Sequence, residues 1–461
     1  MASFSKRRYT VAIAICLMLQ AASLYAQERY TLAQLVDSSK HYLPLLKQKR
    51  AQVQAAQANL SDVKSTLLPQ VKFSEQLNIG TDNSLSGSFF TFGITPSTSA
   101  GVRAANTMEA ATGNVGVLYG EYELANFGLN GAKIDYAKAN IDLQQADAQK
   151  EEYINALNVA KLYFTLLKYE YQASADRQNT ERYSSIFNVI QALTKSGINP
   201  GADSSLAKAE MSKARISYNQ TIGKITQVKQ QLAYLTGVAI NKLSADTLRN
   251  MQWENLPVVV SDTAQNPVIS YYAKRKDALL YNEQLIKKSY LPKVMLASGI
   301  WARGSSIQYN DQYKALSEGL GYQRFNYAVG LAFTYNLFNG LYRKNKLAVN
   351  RFQMQASNYD LQQQQLLLQT VASQADSRIQ VITDNLKELP VQLTSAKAVF
   401  NQKTAQYKAG IISLIDLTNA SFVLYRSQTD YIEAISDWYL AGLDKAAANG
   451  SLLSFIQTIN R

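Results

Sequence analysis

Cys16 and His41 are the only cysteine and the only histidine in 461 residues. Cys–His nucleophiles, zinc sites built on thiolates and imidazoles, dithiol redox pairs and more than one Ser–His–Asp triad therefore have no raw material. A carboxylate pair for acid–base work fares no better. Glu151 and Glu152 are adjacent, and neighbours on a helix point apart. One acid recurs at a fixed spacing: Asp203 follows Gly197 by six residues, and Asp416 follows Gly410 by six. Each stands near the start of a helix returning from a chain reversal, where a carboxylate caps the helix or complements its dipole. These residue types point to no catalytic, cofactor-binding or metal-binding group, so an enzyme is not expected.

Composition narrows the class further. With 47% hydrophobic and 18% charged residues the chain is not of the disordered type. The formal charge of +13 invites a nucleic-acid reading. The cations, however, interleave with acids along the chain as on solvated helix faces, and no basic face with interleaved aromatics occurs, so nucleic acid is not an expected partner. Residues 1–26 read as a secretory signal peptide. Lys6, Arg7 and Arg8 precede an apolar run from Val11 to Leu19, and Ala26 stands before Gln27. An uncleaved anchor and a lipoprotein attached through Cys16 are the alternatives, although Ile15 stands where lipoprotein cleavage wants a small residue. Cleavage after Ala26 lowers the charge from +13 to +10 and leaves no thiol. No later segment reaches eighteen consecutive apolar residues, the length of a helical span.

The elements that position the two acids occur in duplicate. Pro44 precedes Pro69 by 25 residues, and Pro267 precedes Pro292 by 25. Lys195-Ser196-Gly197-Ile198 is answered by Lys408-Ala409-Gly410-Ile411, and Asn126-Phe127-Gly128 roughly by Phe338-Asn339-Gly340. Self-similarity of this kind marks a repeat. The first repeat is expected over 27–250 and the second over 251–461, each as helix, β-hairpin and two long helices. The first copy carries an insertion between about 80 and 113. Leu347, Met354, Leu361, Leu368, Ala375, Ile382, Leu389 and Ala396 recur every seven residues, which implies helices supercoiled left-handedly on their neighbours. Tyr136, Ala139, Leu143, Ala146, Tyr153, Leu157, Ala160, Phe164 and Leu167 follow the 3–4 alternation in the first copy. Helices are expected from about 130 to 195 and from 341 to 408, with Pro390 the one internal proline. A helix of some 65 residues is ~100 Å long at 1.5 Å per residue.

The hairpins alternate. Tyr327, Val329, Leu331, Phe333 and Tyr335 share one face, with Ala328, Gly330, Ala332, Thr334 and Asn336 on the other. Val71, Phe73, Leu77 and Ile79 oppose Lys72, Ser74, Gln76 and Asn78, while Leu118 and Tyr122 lie in the partner strand. Val294, Leu296 and Ile300 repeat the pattern more weakly. Apolar-out, polar-in segments of about ten residues match transmembrane barrel strands. Tyr327 and Tyr335 stand roughly 26 Å apart along a strand, so an aromatic lies near each edge of a lipid-facing band. A soluble antiparallel sandwich is the rival reading. Four strands cannot close a barrel in lipid, where open edges are not tolerated. Two copies give eight strands with a filled interior, and three give twelve with room for a passage. A homotrimer is therefore expected. Arg343, Lys344 and Lys346, just after the last strand, are placed to meet anionic outer-membrane lipid.

Taken in order, Leu68-Pro69 and Leu291-Pro292, the turn Tyr335-Asn336-Leu337-Phe338-Asn339-Gly340, the segment Tyr407-Lys408-Ala409-Gly410…Asp416 and the tail Ile432-Glu433-Ala434…Asp437-Trp438-Tyr439-Leu440 before Gly450 resemble the TolC-like outer-membrane efflux family. The resemblance implies a mixed, mostly α fold: a twelve-stranded trimeric barrel in the bacterial outer membrane, continued by a long periplasmic α-helical barrel. It also implies docking with a periplasmic adaptor protein and, through it, with an inner-membrane pump. Gly197, Asp203, Tyr407, Gly410 and Asp416 would then form the periplasmic tip and gate, with the two acids as carboxylate rings. Ile412 and Asn419 stand where the family often has an Arg and a further Asp, so a different closing network is expected. An envelope coiled-coil protein without conduction is the alternative.

Overall fold

The computed structural model describes residues 30–83, 105–198, 200–245 and 265–459. The export segment, the body of the insertion between 80 and 113 and the expected repeat boundary near 250 lie outside them. The first half runs α1 (Leu32–Tyr42), α2 (Pro44–Ser65), β1 (Gln70–Gly80), β2 (Ala111–Ala125), α3 (Leu129–Lys195) and α4 (Gly201–Thr236). The second runs α5 (Pro267–Ser289), β3 (Lys293–Ser305), β4 (Arg324–Thr334), α6 (Asn339–Lys408), α7 (Leu414–Ala448) and α8 (Leu452–Ile459). The duplicated helix, hairpin, long-helix plan is thus present, and the two long helices extend over 67 and 70 residues.

Local chemistry sets the boundaries. Thr31 caps α1 in a capping box with Gln34. Leu43, forced towards the extended region by the following Pro44, separates α1 from α2. Pro69 and Pro292 precede the first strand of each hairpin, where a helix cannot continue.

Compact units cut across the repeats. One takes the described residues up to Gln54, those of Asp142–Arg275, and Ser357 onward; the other takes Ala55–Ile141 and Lys276–Ala356. The first is all helical. Its core joins Leu32, Leu35 and Val36 of α1, Val159, Phe164 and Leu167 of α3, Leu232 of α4, Leu386 of α6, Trp438, Tyr439 and Leu443 of α7 and Phe455 of α8. Phe164 stacks on Tyr439 at 5.0 Å. The seven-residue series of α6 lies on its inward side, with Ala375 and Ala396 buried and Leu347, Met354, Leu361, Leu368, Ile382 and Leu389 half-buried. Around 153–167, α3 is buried on more than the single seam its alternation suggests, because α1, α4, α7 and α8 all pack on it.

The second unit holds an antiparallel sheet in the order β1-β2-β3-β4. Its register puts Phe73, Leu118, Ile300 and Tyr327 in one line across all four strands, and Tyr122, Leu296 and Leu331 in another. Every apolar residue expected on one face is on one face, including the weakly patterned Val294, Leu296 and Ile300. β4 is exposed along its whole length, and so is β1. Tyr335 stands one residue beyond β4. Towards the outer end the 306–322 segment folds back over this same face and buries Thr112, Asn114, Gly116, Ala302 and Gly304. The Thr112 hydroxyl donates to the Leu316 carbonyl, and Asn114 Nδ2 donates to the Leu320 carbonyl at 2.8 Å. Glycine at 304 and 319 allows this close approach, since a Cβ at Gly304 would strike the Gly321 carbonyl and one at Gly319 would strike Thr112.

Candidate functional site

Both long helices end alike. Gly197 and Gly410 have φ of +74° and +73°. The Ile198 N–H donates to the Leu193 carbonyl, and the Ile411 N–H to the Gln406 carbonyl, each at 3.0 Å. These are closures of the type in which a left-handed residue satisfies the last carbonyls. The space beside both glycines is open, so the backbone angle alone selects glycine. Ile198 and Ile411, which follow them, are exposed.

The returning helices begin differently. Ser413 caps α7, with the Asp416 N–H donating to Ser413 Oγ at 3.3 Å. Asp416 Oδ2 in turn accepts from the Ser413 N–H at 3.1 Å and from Ser413 Oγ at 2.6 Å. The Ser413 hydroxyl, then its N–H, hold the Asp416 carboxyl below the usual carboxylate range. The cap is therefore complete above about pH 4 and weakens as pH falls through the lowered value. Asp203 lies in the first turn of α4 behind Pro200, which offers no side-chain cap. Tyr407, with Ile186 and Phe187, packs on Ile190, Ala207 and Leu414, so α3, α4, α6 and α7 share one small core behind both turns. All five expected tip residues thus gather at one end of the helical unit. Ile412 is half-buried and Asn419 exposed.

A groove of about 550 Å³ opens beside this end. Gln178, Glu181, Arg182, Ser185, Ile186 and Val189 of α3 form one wall, and Phe400, Thr404, Tyr407 and Lys408 of α6 the other. Arg182 lies 5.9 Å from the Phe400 ring centre and donates to Asn179 Oδ1 at 3.1 Å and Gln428 Oε1 at 3.3 Å. Burial pushes its pKa down. A guanidinium over an aromatic ring, edged by apolar side chains, is a wall that another helix can pack on.

Farther from the turns, Asp176 is 1% exposed. It accepts from Tyr425 OH and Thr221 Oγ1, each at 2.6 Å, and from Gln172 Nε2 at 2.9 Å. Tyr425 OH also lies 3.2 Å from Ser217 Oγ. One buried carboxylate therefore ties α3, α4 and α7 together. Burial first, and Asp176 next, raise the Tyr425 pKa.

Arg182, Phe400 and Asp176 were not singled out from the sequence. Each sits on a helix whose pattern is legible, yet the partners of Asp176 lie 45 and 249 residues away along the chain. Among the described residues no cluster of His, Cys, Asp or Glu could hold a metal ion.

The model of the outer membrane efflux protein family matches residues 35–238 and 261–446. The fold is shared with the CmeC outer membrane channel of Campylobacter jejuni (16% identity, TM-score 0.76, covering 91% of this chain and 86% of that one). It is shared too with the outer membrane protein VceC of Vibrio cholerae (14%, 0.73, 91% and 96%) and with the open state of the Neisseria gonorrhoeae MtrE outer membrane channel (17%, 0.69, 91% and 89%). No curated protein matches by sequence.

Proposed function

Because this chain belongs to the outer membrane efflux protein family, we propose that it works as the outer-membrane channel of a tripartite efflux or secretion system. It is a homotrimer that receives substrates from a periplasmic adaptor protein and, through it, from an inner-membrane pump. The observation that carries this reading is the four-stranded sheet with one exposed, mainly apolar face, interrupted at Glu75 where the Tyr322 hydroxyl donates to its carboxylate, and with β1 and β4 at its two edges. An open edge is not tolerated in lipid, and three copies place β1 of one beside β4 of the next to close twelve strands. Tyr327, Val329, Leu331 and Phe333 then face lipid, and Tyr335 stands at the inner border. Arg343, Lys344 and Lys346 are exposed in the first turns of α6, which supports contact with anionic headgroups there. The two repeats, 27–250 and 251–461, each supply one hairpin and one helical turn.

The gathered tip residues form the periplasmic end, with Asp203 and Asp416 as acidic rings that disfavour anions. Purified protein is expected to cross-link as a trimer and to conduct in a planar bilayer. Trivalent cations added from the helical side should block the current, and Asp416→Asn should weaken that block about tenfold. Only monomers on cross-linking native envelopes would overturn the trimer, and an unchanged block would remove Asp416 from the gate.

The adaptor docks on the turns and the Arg182–Phe400 groove. Gly410→Arg adds a long cation to the exposed turn and places a non-glycine residue at positive φ, at a cost of about 1–2 kcal/mol. Co-purification of the adaptor should be lost while the trimer survives. An adaptor retained at wild-type yield would move the docking site elsewhere.

A further inference from the structure

The register sets Arg303 directly opposite Arg324 at the outer end of β3 and β4. Like charges facing each other across an antiparallel pair are destabilising. Both side chains are exposed. They belong to the face opposite the apolar one, in line with Gln76 of β1 and Val115 of β2. The next line inward is Ser74, Val117, Trp301 and Asn326, and the line outward includes Asn78, Gly113 and Ser305. None of these three lines contains a carboxylate. The other cations of the same face are treated differently: Lys72 Nζ lies 3.6 Å from Glu121, and Lys293 Nζ 3.5 Å from Glu123. Two opposed arginines with no ion pair among the described residues are the exception.

Their depth follows from the segment on the other side of the sheet. Ala302 and Gly304, which flank Arg303, are buried under the 306–322 segment, and the Ser306 N–H donates to the Thr112 carbonyl at 3.0 Å. A polar, irregular backbone of this kind is not tolerated in the hydrocarbon layer. The arginine line therefore lies outside it. In a barrel whose apolar face meets lipid, the arginine face lines the passage. Guanidinium groups recognise carboxylate and phosphate through paired hydrogen bonds and stay charged at every physiological pH.

We propose that Arg303 and Arg324, two in each copy and so six around three copies, form an anion-binding collar at the outer mouth, which takes small solutes bearing several phosphate or carboxylate groups. It draws anions to the exit, opposite in sign to the acidic end of the helices. The collar rests on the trimeric channel reading. The probe is inositol hexakisphosphate, added in turn to each side of a planar bilayer holding the full-length trimer. Current should be blocked from the outer-loop side and not from the helical side. Arg303→Gln and Arg324→Gln should each weaken the block about tenfold, and together about a hundredfold. Arg303→Lys with Arg324→Lys should keep most of it, since the charge remains. Block that is equal from both sides, or undiminished in the doubly neutralised trimer, would overturn the collar while leaving the channel standing. Wild-type protein without current would overturn the channel and the collar together.

Discussion

Leu331→Arg should destabilise the trimer by about 2–4 kcal/mol and deplete it from the outer membrane. Leu331 is 71% exposed in the single chain, in line with Leu296 and Tyr122, and lies midway between Tyr327 and Tyr335. An arginine there meets the centre of the hydrocarbon layer, with no backbone partner left unpaired in the sheet to receive it. Ala332→Arg is the control. Its neighbour across the pair is Met295, on the face that lines the passage, so folding should be nearly unaffected and conductance should change instead. Gel migration of unheated and heated samples reads trimer survival. Equal loss from both substitutions would mean that the face assignment is wrong.

Asp176→Ala should cost about 2–4 kcal/mol, because it leaves the buried Thr221 hydroxyl without its acceptor and takes one from the half-buried Tyr425 and Gln172. Tyr425, Thr221 and Gln172 lie on three helices, so the helical unit loosens where α3, α4 and α7 meet. Asp176→Asn keeps the volume and one acceptor oxygen, and about half that loss is expected. Tyr425→Phe in the Asp176→Ala background should then cost less than it does alone, since its bond to Asp176 is already gone and only the longer contacts with Ser217 and Gln172 are left to lose. Thermal unfolding followed by helical circular dichroism, with limited proteolysis of the helical end, measures both effects. Additive losses in the double variant would show that the carboxylate and the phenol do not act as a unit.

Sequence and structure divide the account along a physical line. The repeat, the two long helices, the glycine turns and the apolar strand face are all written locally. Heptad spacing, a proline or glycine at its turn, and alternation with a period of two act over a few residues, and so can be read without knowing the fold. The expectation of three copies rests likewise on strand number, on the intolerance of lipid for open edges and on the room a passage needs. The capping role of Asp416 was legible for the same reason, since Ser413 lies three residues away.

Other features required distant segments to meet. That α3 is wrapped on several sides depends on four helices choosing it as their common partner. The Asp176 knot joins side chains with no shared local signal, and the Arg182–Phe400 groove exists only because α3 runs beside α6 there. Arg303 opposes Arg324 because the segment between them closes at one length and folds onto one face. A slip of one residue in that pairing would have sent every side chain of β4 to the other side. Local periodicity decided what each element is, whereas pairing and register, which are long-range choices made by packing, decided which charges and rings face one another.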